Sequence, residues 1–187
     1  MTDVSNHWMK LGNIKLGPLP RRIYGAPWVY GQGHVHYTVE NPYKSDFWFY
    51  RTEWDPVAVV TYTGEASREY LDSLGLPPMD IMGVSFMMAN QSWKWHTDRA
   101  RAACINIAIQ NGPLARTEFE DGTSFIMDSG DVYCLDVMTK HRIVFFEEAL
   151  PAIDTSRIVL TINLKEPYDS PSSQQIFQDI KDHLASR

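Results

Sequence analysis

The chain has 187 residues, of which 44% are hydrophobic and 12% are aromatic, and its formal net charge is −6. This length and apolar content suffice for one domain with a single buried core. The acidic balance argues against nucleic acid and anionic membranes as partners, because both bind surfaces with clustered Lys and Arg. We therefore expect a small-molecule or peptide partner.

The first third of the chain, residues 1–56, is rich in Trp, Tyr, Gly and Pro and shows little periodicity. Such a stretch predicts irregular structure with short edge strands wrapped against a core. Residues 56–63 (PVAVVTYT) then predict a buried strand, and residues 65–74, which are followed by Gly75 and Pro77, predict a short helix.

From residue 81 onwards the pattern is strongly β. Short apolar runs separated by turn residues cover residues 81–88, 102–110, 117–120, 123–127, 132–136, 141–146 and 157–164. Asp121-Gly122 predicts a tight hairpin, and Ser129-Gly130-Asp131 predicts another turn before a strand. Short strands at such even spacing are typical of an antiparallel sandwich or barrel.

The C-terminal segment predicts a helix that starts near Ser170-Pro171-Ser172. Its apolar side chains recur on one face at helical spacing: Ile176, Phe177, Ile180 and Leu184. We therefore expect one domain over residues 1–187, with an N-terminal extension over 1–56, a β core over about 57–165 and a helix over 172–185 that packs outside a sheet.

Cysteine usage and the N-terminal residues predict the compartment. Cys104 and Cys134 lie in apolar, strand-like runs and lack the spacing of a disulfide framework. This favours buried thiols in a reducing compartment over a disulfide. Residues 1–15 lack the basic region and apolar stretch of a signal peptide, and no apolar run reaches the length of a membrane span. We therefore expect a cytoplasmic protein without a membrane partner, and its oligomeric state stays open.

His96 and Asp98 are candidate metal ligands. Side chains two apart on a strand share a face, so both point at one spot. His141 begins an apolar strand 45 residues later, and a hairpin-rich fold can return it to this pair. Two imidazoles and one carboxylate can hold one face of an octahedral Fe(II) and leave the opposite face open, as in non-haem iron oxygenases. The triplet alone recurs by chance, but its strand context favours a metal site over ordinary histidines.

Three segments carry a family resemblance: WHTDRARAACINIAI, GDVYCLDVMTKHRIVF and SRIVLTINL. Together they resemble the Fe(II)/2-oxoglutarate-dependent dioxygenases, most closely the aspartyl/asparaginyl β-hydroxylase and prolyl-hydroxylase-like branches, over roughly residues 81–165. The resemblance implies a mainly β, double-stranded β-helix (jelly roll) with a few flanking helices. It also implies iron held by His96, Asp98 and His141, with 2-oxoglutarate and O2 as cosubstrates. The implied reaction is hydroxylation of a C–H bond, in a peptidyl Pro, Asn or Asp residue or in a small amino-acid-like substrate.

Arg157 is the residue that the resemblance implies for the far carboxylate of 2-oxoglutarate. A buried dicarboxylate needs a charged partner, and a guanidinium offers a planar, two-pronged donor. The alternative is an edge arginine that extends to solvent. Arg157 follows His141 by 16 residues, further than the family usually shows, and an enlarged loop would explain the excess. Arg142 competes for the role, but it should point away from the metal if His141 points towards it.

Other polar residues are candidates for the cosubstrate and substrate. Asn106, Tyr62 and Thr161 are predicted to offer hydrogen bonds to 2-oxoglutarate, although a strand tyrosine is often simply packed. Arg99 and Arg101 follow the metal triplet and are candidate contacts for an anionic substrate or for one end of the cosubstrate. Their alternative is a pair of solvated loop charges.

Two alternatives to the dioxygenase stay open. One is a cupin-like metalloenzyme that does not use 2-oxoglutarate, although such sites usually gather more histidines than this chain offers. The other is a non-catalytic β-sandwich binding module, which would bind neither iron nor 2-oxoglutarate.

Overall fold

The structure is a computed structural model that describes residues 5–25, 47–50, 59–98, 101–147 and 154–187. The strands in these ranges are β1 (Trp8–Asn13), β2 (Phe47–Tyr50), β3 (Val59–Tyr62), β4 (Ile81–Ala89), β5 (Ala103–Gln110), β6 (Ala115–Phe119), β7 (Ser124–Ile126), β8 (Asp131–Asp136), β9 (His141–Phe145) and β10 (Arg157–Leu164). The α-helices are α1 (Glu65–Ser73) and α2 (Pro171–Ala185). None of the helices in these ranges combines the length and the apolar character that crossing a membrane requires.

Two antiparallel sheets contain all of these strands. The large sheet has the order β1-β8-β5-β10-β4-β3-β2, and the small sheet has the order β7-β6-β9. From β5 to β10 the chain passes back and forth between the two sheets, since β6, β7 and β9 lie in the small one. This arrangement is a jelly roll, which confirms the predicted fold class.

The predicted elements match the observed ones closely. The helix predicted over 65–74 is α1, and the one predicted over 172–185 is α2. Short edge strands were expected in the first third of the chain, and β1 and β2 occupy the two edges of the large sheet. Of the strand predicted over 56–63, residues 56–58 lie outside the described part of the chain.

The turn between β7 and β8 requires a glycine, as its sequence predicts. Gly130 has a φ of 88°, in the left-handed region that favours glycine. A Cβ atom at this position would also lie 2.5 Å from the carbonyl oxygen of Ile14, which follows β1. The main chain of Ile14 donates a hydrogen bond to the carbonyl oxygen of Gly130 at 2.8 Å, so the turn and the N-terminal strand are packed backbone against backbone.

The two faces of the large sheet have different roles, and β10 at its centre shows them. The even-numbered residues 158 to 164 belong to an apolar core that also contains Tyr70 of α1 and Phe177 of α2. The odd-numbered residues point the other way. We call the helix-covered side the outer face and the opposite side the inner face.

The inner face is directed at the small sheet. On β5, Cys104 and Ala108 pack in one cluster with Phe119 and Phe125 of the small sheet. The strand registers then assign further residues to the same face. The inner-face residues of the three central strands are Ser85, Met87 and Ala89 on β4, Cys104, Asn106 and Ala108 on β5, and Arg157, Val159, Thr161 and Asn163 on β10.

Candidate metal centre

His96 and His141 are neighbours because their main chains pair. The N–H of each residue donates to the carbonyl oxygen of the other at 2.9 Å, which forms an isolated β-bridge beside the start of β9. The two imidazole rings consequently lie with their centroids 4.4 Å apart. The backbone therefore positions this ligand pair independently of any ion.

Asp98 completes the group from the same segment as His96. Its backbone N–H donates to the carbonyl oxygen of Val137 at 2.9 Å, which anchors it next to the end of β8. Its Oδ1 lies 3.8 Å from Nε2 of His96, and its Oδ2 lies 4.0 Å from Nε2 of His141. One ligand atom from each of the three residues lies within 4.8 Å of the others. The structure thus brings together the three predicted metal ligands.

Both imidazoles are held in the tautomer that a metal needs. Nδ1 of His96 lies 2.7 Å from the carbonyl oxygen of Lys94, and Nδ1 of His141 lies 2.8 Å from that of Thr139. A carbonyl oxygen only accepts hydrogen bonds, so in the neutral ring each Nδ1 carries the proton and each Nε2 keeps the lone pair that binds a metal. Burial also lowers the pKa of His141, which favours the neutral, ligating form. The donor set therefore fits Fe(II).

Arg101 holds the carboxylate of Asp98 in place. Its Nε and Nη2 donate to Oδ2 of Asp98 at 2.8 and 2.6 Å, and its Nη1 donates to Oδ1 of Asn163 at 2.7 Å. Oδ1 of Asp98 accepts neither of the two bonds from Arg101 and lies towards His96. Arg101 was a candidate contact for the substrate or cosubstrate; the structure engages its guanidinium with Asp98 and Asn163 instead. The other such candidate, Arg99, lies outside the described residues.

Arg157 is buried inside the barrel. Only 3% of its surface is exposed, which contradicts the alternative of an edge arginine extending to solvent. Its Nη2 lies 3.5 Å from Sδ of Met127, its Nε has no hydrogen-bond partner, and none of the described carboxylates forms an ion pair with it. Burial lowers its pKa to about 10. A buried cation without a counter-charge is costly, so this position favours an anionic ligand.

Two of the polar residues predicted to contact the cosubstrate share the inner face with Arg157. Thr161 and Asn106 are direct partners in the register of β10 and β5. The hydroxyl of Thr161 is buried without a hydrogen bond to any described group. Oδ1 of Asn106 accepts a weak hydrogen bond from the thiol of Cys104 at 3.6 Å. Three buried polar side chains therefore share the face of the large sheet that is directed at the small sheet.

Tyr62 does not belong to this group, and its predicted role is wrong. It pairs with Phe86 in the register of β3 and β4, and both side chains lie in the core under the helices. The inner-face residue of β3 is its neighbour Thr61, which pairs with Met87. A shift of one residue along a strand reverses the face, and the sequence of β3 did not specify which face is polar.

Arg142 lies on the outside of the small sheet, as expected from its position next to His141. It donates from Nε to Oε2 of Glu118 at 2.7 Å, and its guanidinium stacks 4.5 Å from the ring centre of Trp95. It is therefore not available to a ligand inside the barrel. The prediction missed Asn163, although its odd number on β10 places it on the same face as Arg157 and Thr161.

Comparisons with protein-family models and with curated proteins gave no match. Among solved structures, the chain is similar to a cupin domain from Bordetella pertussis Tohama I, with 16% identity over 48% of this chain and 88% of that chain and a TM-score of 0.35. It is also similar to AviO1 from Streptomyces viridochromogenes Tue57, with 15% identity over 89% and 92% of the two chains and a TM-score of 0.48. EvdMO1 gives 16% identity over 86% of this chain and 47% of that chain, with a TM-score of 0.48. The jelly-roll assignment rests on the strand order of the two sheets.

Proposed function

We propose that this chain is an Fe(II)/2-oxoglutarate-dependent dioxygenase that hydroxylates a C–H bond. The observation that carries the proposal is Arg157, a buried guanidinium without a described counter-charge in a barrel that also holds a His-Asp-His group. A protein that bound only a metal would gain nothing from this uncompensated cation, whereas a dicarboxylate cosubstrate compensates it.

β10 connects Arg157 with the segment that carries the candidate metal ligands. At about 3.3 Å per residue, Thr161 lies roughly 13 Å and Asn163 roughly 20 Å along the strand from Arg157. Asn163 contacts Arg101, which holds Asp98, so the far end of the strand lies at the metal centre. The inner face of β10 thus runs from Arg157 past Thr161 towards the candidate metal site.

Each residue then has a role. His96, Asp98 and His141 would hold the iron, which when bound supplies the redox chemistry that couples O2 and 2-oxoglutarate to C–H hydroxylation. Arg157 would pair with the far carboxylate of 2-oxoglutarate, and Thr161 would donate a hydrogen bond to the cosubstrate. Apolar side chains such as Phe119 and Ile143 line the small-sheet side and exclude water from the reaction.

Anaerobic calorimetric titration tests the proposal. Wild-type protein should bind Fe(II), and the iron-loaded protein should then bind 2-oxoglutarate. Arg157→Lys should keep iron binding and weaken 2-oxoglutarate binding, because an ammonium lacks the two-pronged geometry. Arg142→Lys is the matched control, and it should bind both ligands as the wild type does.

The possible results separate the three candidate functions. Iron binding without 2-oxoglutarate binding would overturn the proposal in favour of a metalloenzyme that does not use this cosubstrate. Binding of neither ligand would favour a non-catalytic module.

A further inference from the structure

A cavity of about 360 Å³ lies at the edge of the large sheet, where β3 has ended and α1 begins. Its wall comes from the first turn of α1, from the first half of β4 and from Asn163 at the end of β10. Small-molecule sites have volumes of about 300 to 1,000 Å³, so this one suits a metabolite of amino-acid size.

Asn163 connects this cavity to the candidate metal centre. Its Oδ1 accepts a hydrogen bond from Nη1 of Arg101 at 2.7 Å, and the same guanidinium holds Oδ2 of Asp98. One guanidinium therefore separates the cavity wall from a predicted metal ligand. Because Arg101 is only a donor, it fixes Oδ1 of Asn163 towards itself and leaves the amide N–H2 group available to a ligand.

Ser85 indicates that the cavity takes a hydrogen-bonding ligand. It lies on the inner face next to Thr161, it is 6% exposed, and it lines the cavity. Within the described ranges its hydroxyl has no hydrogen-bond partner, although buried hydroxyls normally have one. The hydroxyl and the amide of Asn163 are thus two donors on one wall.

The opposite wall adds positive potential. Gly64 caps α1 without a side-chain acceptor, and the N–H of Ser67 donates to the carbonyl oxygen of Gly64 at 2.9 Å, so the N–H groups of Glu65 and Ala66 remain available to an anion. Arg68 lines the same wall, and its Nε donates to Asp72 at 3.2 Å, which leaves its outer nitrogen atoms free to turn inward. Donors on both walls favour a carboxylate.

Glu65 supplies a negative charge that complements the donors on the two walls. It lines the cavity at the first position of α1, it is exposed, and no described cation forms an ion pair with it. A ligand with an ammonium group next to its carboxylate satisfies both signs of charge. Ile81, Met82 and Val84 offer an apolar surface for the rest of the molecule.

We infer that this cavity binds a free α-amino acid and that this amino acid is the substrate. The inference rests on the proposed function for the reaction, and it selects a free amino acid over a residue inside a peptide. Inside a peptide the ammonium and carboxylate groups are consumed in amide bonds, so neither Glu65 nor the donors around Ser85 would have a charged partner.

Calorimetric titration of the anaerobic protein with each of the twenty common free amino acids, and with their N-acetyl amides, tests the inference. The titrations are run with Fe(II) and 2-oxoglutarate present and again without either. At least one free amino acid should bind, and its N-acetyl amide should bind at least about tenfold more weakly, since a charged hydrogen bond is worth about a factor of ten or more. Glu65→Gln and Ser85→Ala should each weaken the binding of that amino acid by about tenfold.

Glu69→Gln is the matched control, because Glu69 is exposed on the same helix and does not line the cavity. It should bind the amino acid as the wild type does. The inference is overturned if no free amino acid binds under either condition, if the N-acetyl amide binds equally well, or if Glu65→Gln has no effect. Failure of the proposed function is read separately, as an absence of 2-oxoglutarate binding in the same protein.

Discussion

The main chains of His96 and His141 are joined by two hydrogen bonds, each 2.9 Å long, in which every N–H donates to the carbonyl oxygen of the other residue. Backbone bonds do not depend on side chains, so the two ligand positions should stay adjacent when an imidazole is removed. Removing either imidazole should therefore remove metal binding while the fold is kept.

His96→Ala and His141→Ala should therefore fold and fail to hold iron. Each should lose iron-dependent succinate formation, because two ligands hold an ion much more weakly than three. Metal analysis after gel filtration, together with a thermal melt of the metal-free protein, measures both effects. Full iron loading in either variant would contradict the assignment.

Arg101→Lys should weaken iron binding by about 10- to 100-fold, the usual cost of losing a partner that orients a ligand. The reason is that a lysine cannot donate two hydrogen bonds to Oδ2 of Asp98 while also reaching Asn163. Competition with a chelating dye measures the affinity. Arg116→Lys, which changes a guanidinium on the outside of the small sheet, is the control. Equal affinities in the two variants would show that Arg101 does not position Asp98.

Arg157→Met should stabilise the ligand-free protein and abolish 2-oxoglutarate binding. Replacing an uncompensated buried charge with an apolar side chain of similar volume can raise the free energy of unfolding by roughly 1 to 4 kcal/mol. Urea denaturation without cosubstrate measures the first effect. Loss of 2-oxoglutarate binding is measured by thermal melts, since 2-oxoglutarate should raise the Tm of the wild type and not that of the variant. A destabilised variant would mean that Arg157 already has a counter-charge in the free protein.

Gly130→Ala should lower the free energy of unfolding by about 1 to 3 kcal/mol. Alanine is strained at a φ of 88°, and its Cβ would lie 2.5 Å from the carbonyl oxygen of Ile14. Gly17→Ala is the control, since a Cβ there meets no atom within 4 Å. Chemical denaturation measures the free energy of unfolding of both variants. Equal stability would contradict the backbone packing between this turn and β1.

The sequence predicted those parts of the molecule that depend on local pattern. Strand periodicity located β4 to β10. The spacing of His96 and Asp98 indicated a shared direction, and the structure brings the two side chains together, although His96 lies in an isolated β-bridge and Asp98 in no strand, contrary to the strand on which the expectation rested. The inside-outside alternation of His141 and Arg142 was also predictable, because it follows from strand geometry alone.

Three features depended on tertiary structure and were missed. The face that Tyr62 occupies is set by the register of β3 against β4, which no residue of β3 signals on its own. The partners of Arg101 depend on the end of β10 lying beside the metal segment. The cavity near Ser85 forms only because β3 ends before β4 does, which leaves the first half of β4 uncovered.

Aerobic conversion of 2-oxoglutarate to succinate by the iron-loaded protein measures the proposed reaction itself. We expect succinate formation that requires Fe(II) and O2, that is lost in His141→Ala and that needs far more 2-oxoglutarate in Arg157→Lys. Succinate formation that is absent from the wild type, or that is unchanged in His141→Ala, would contradict it.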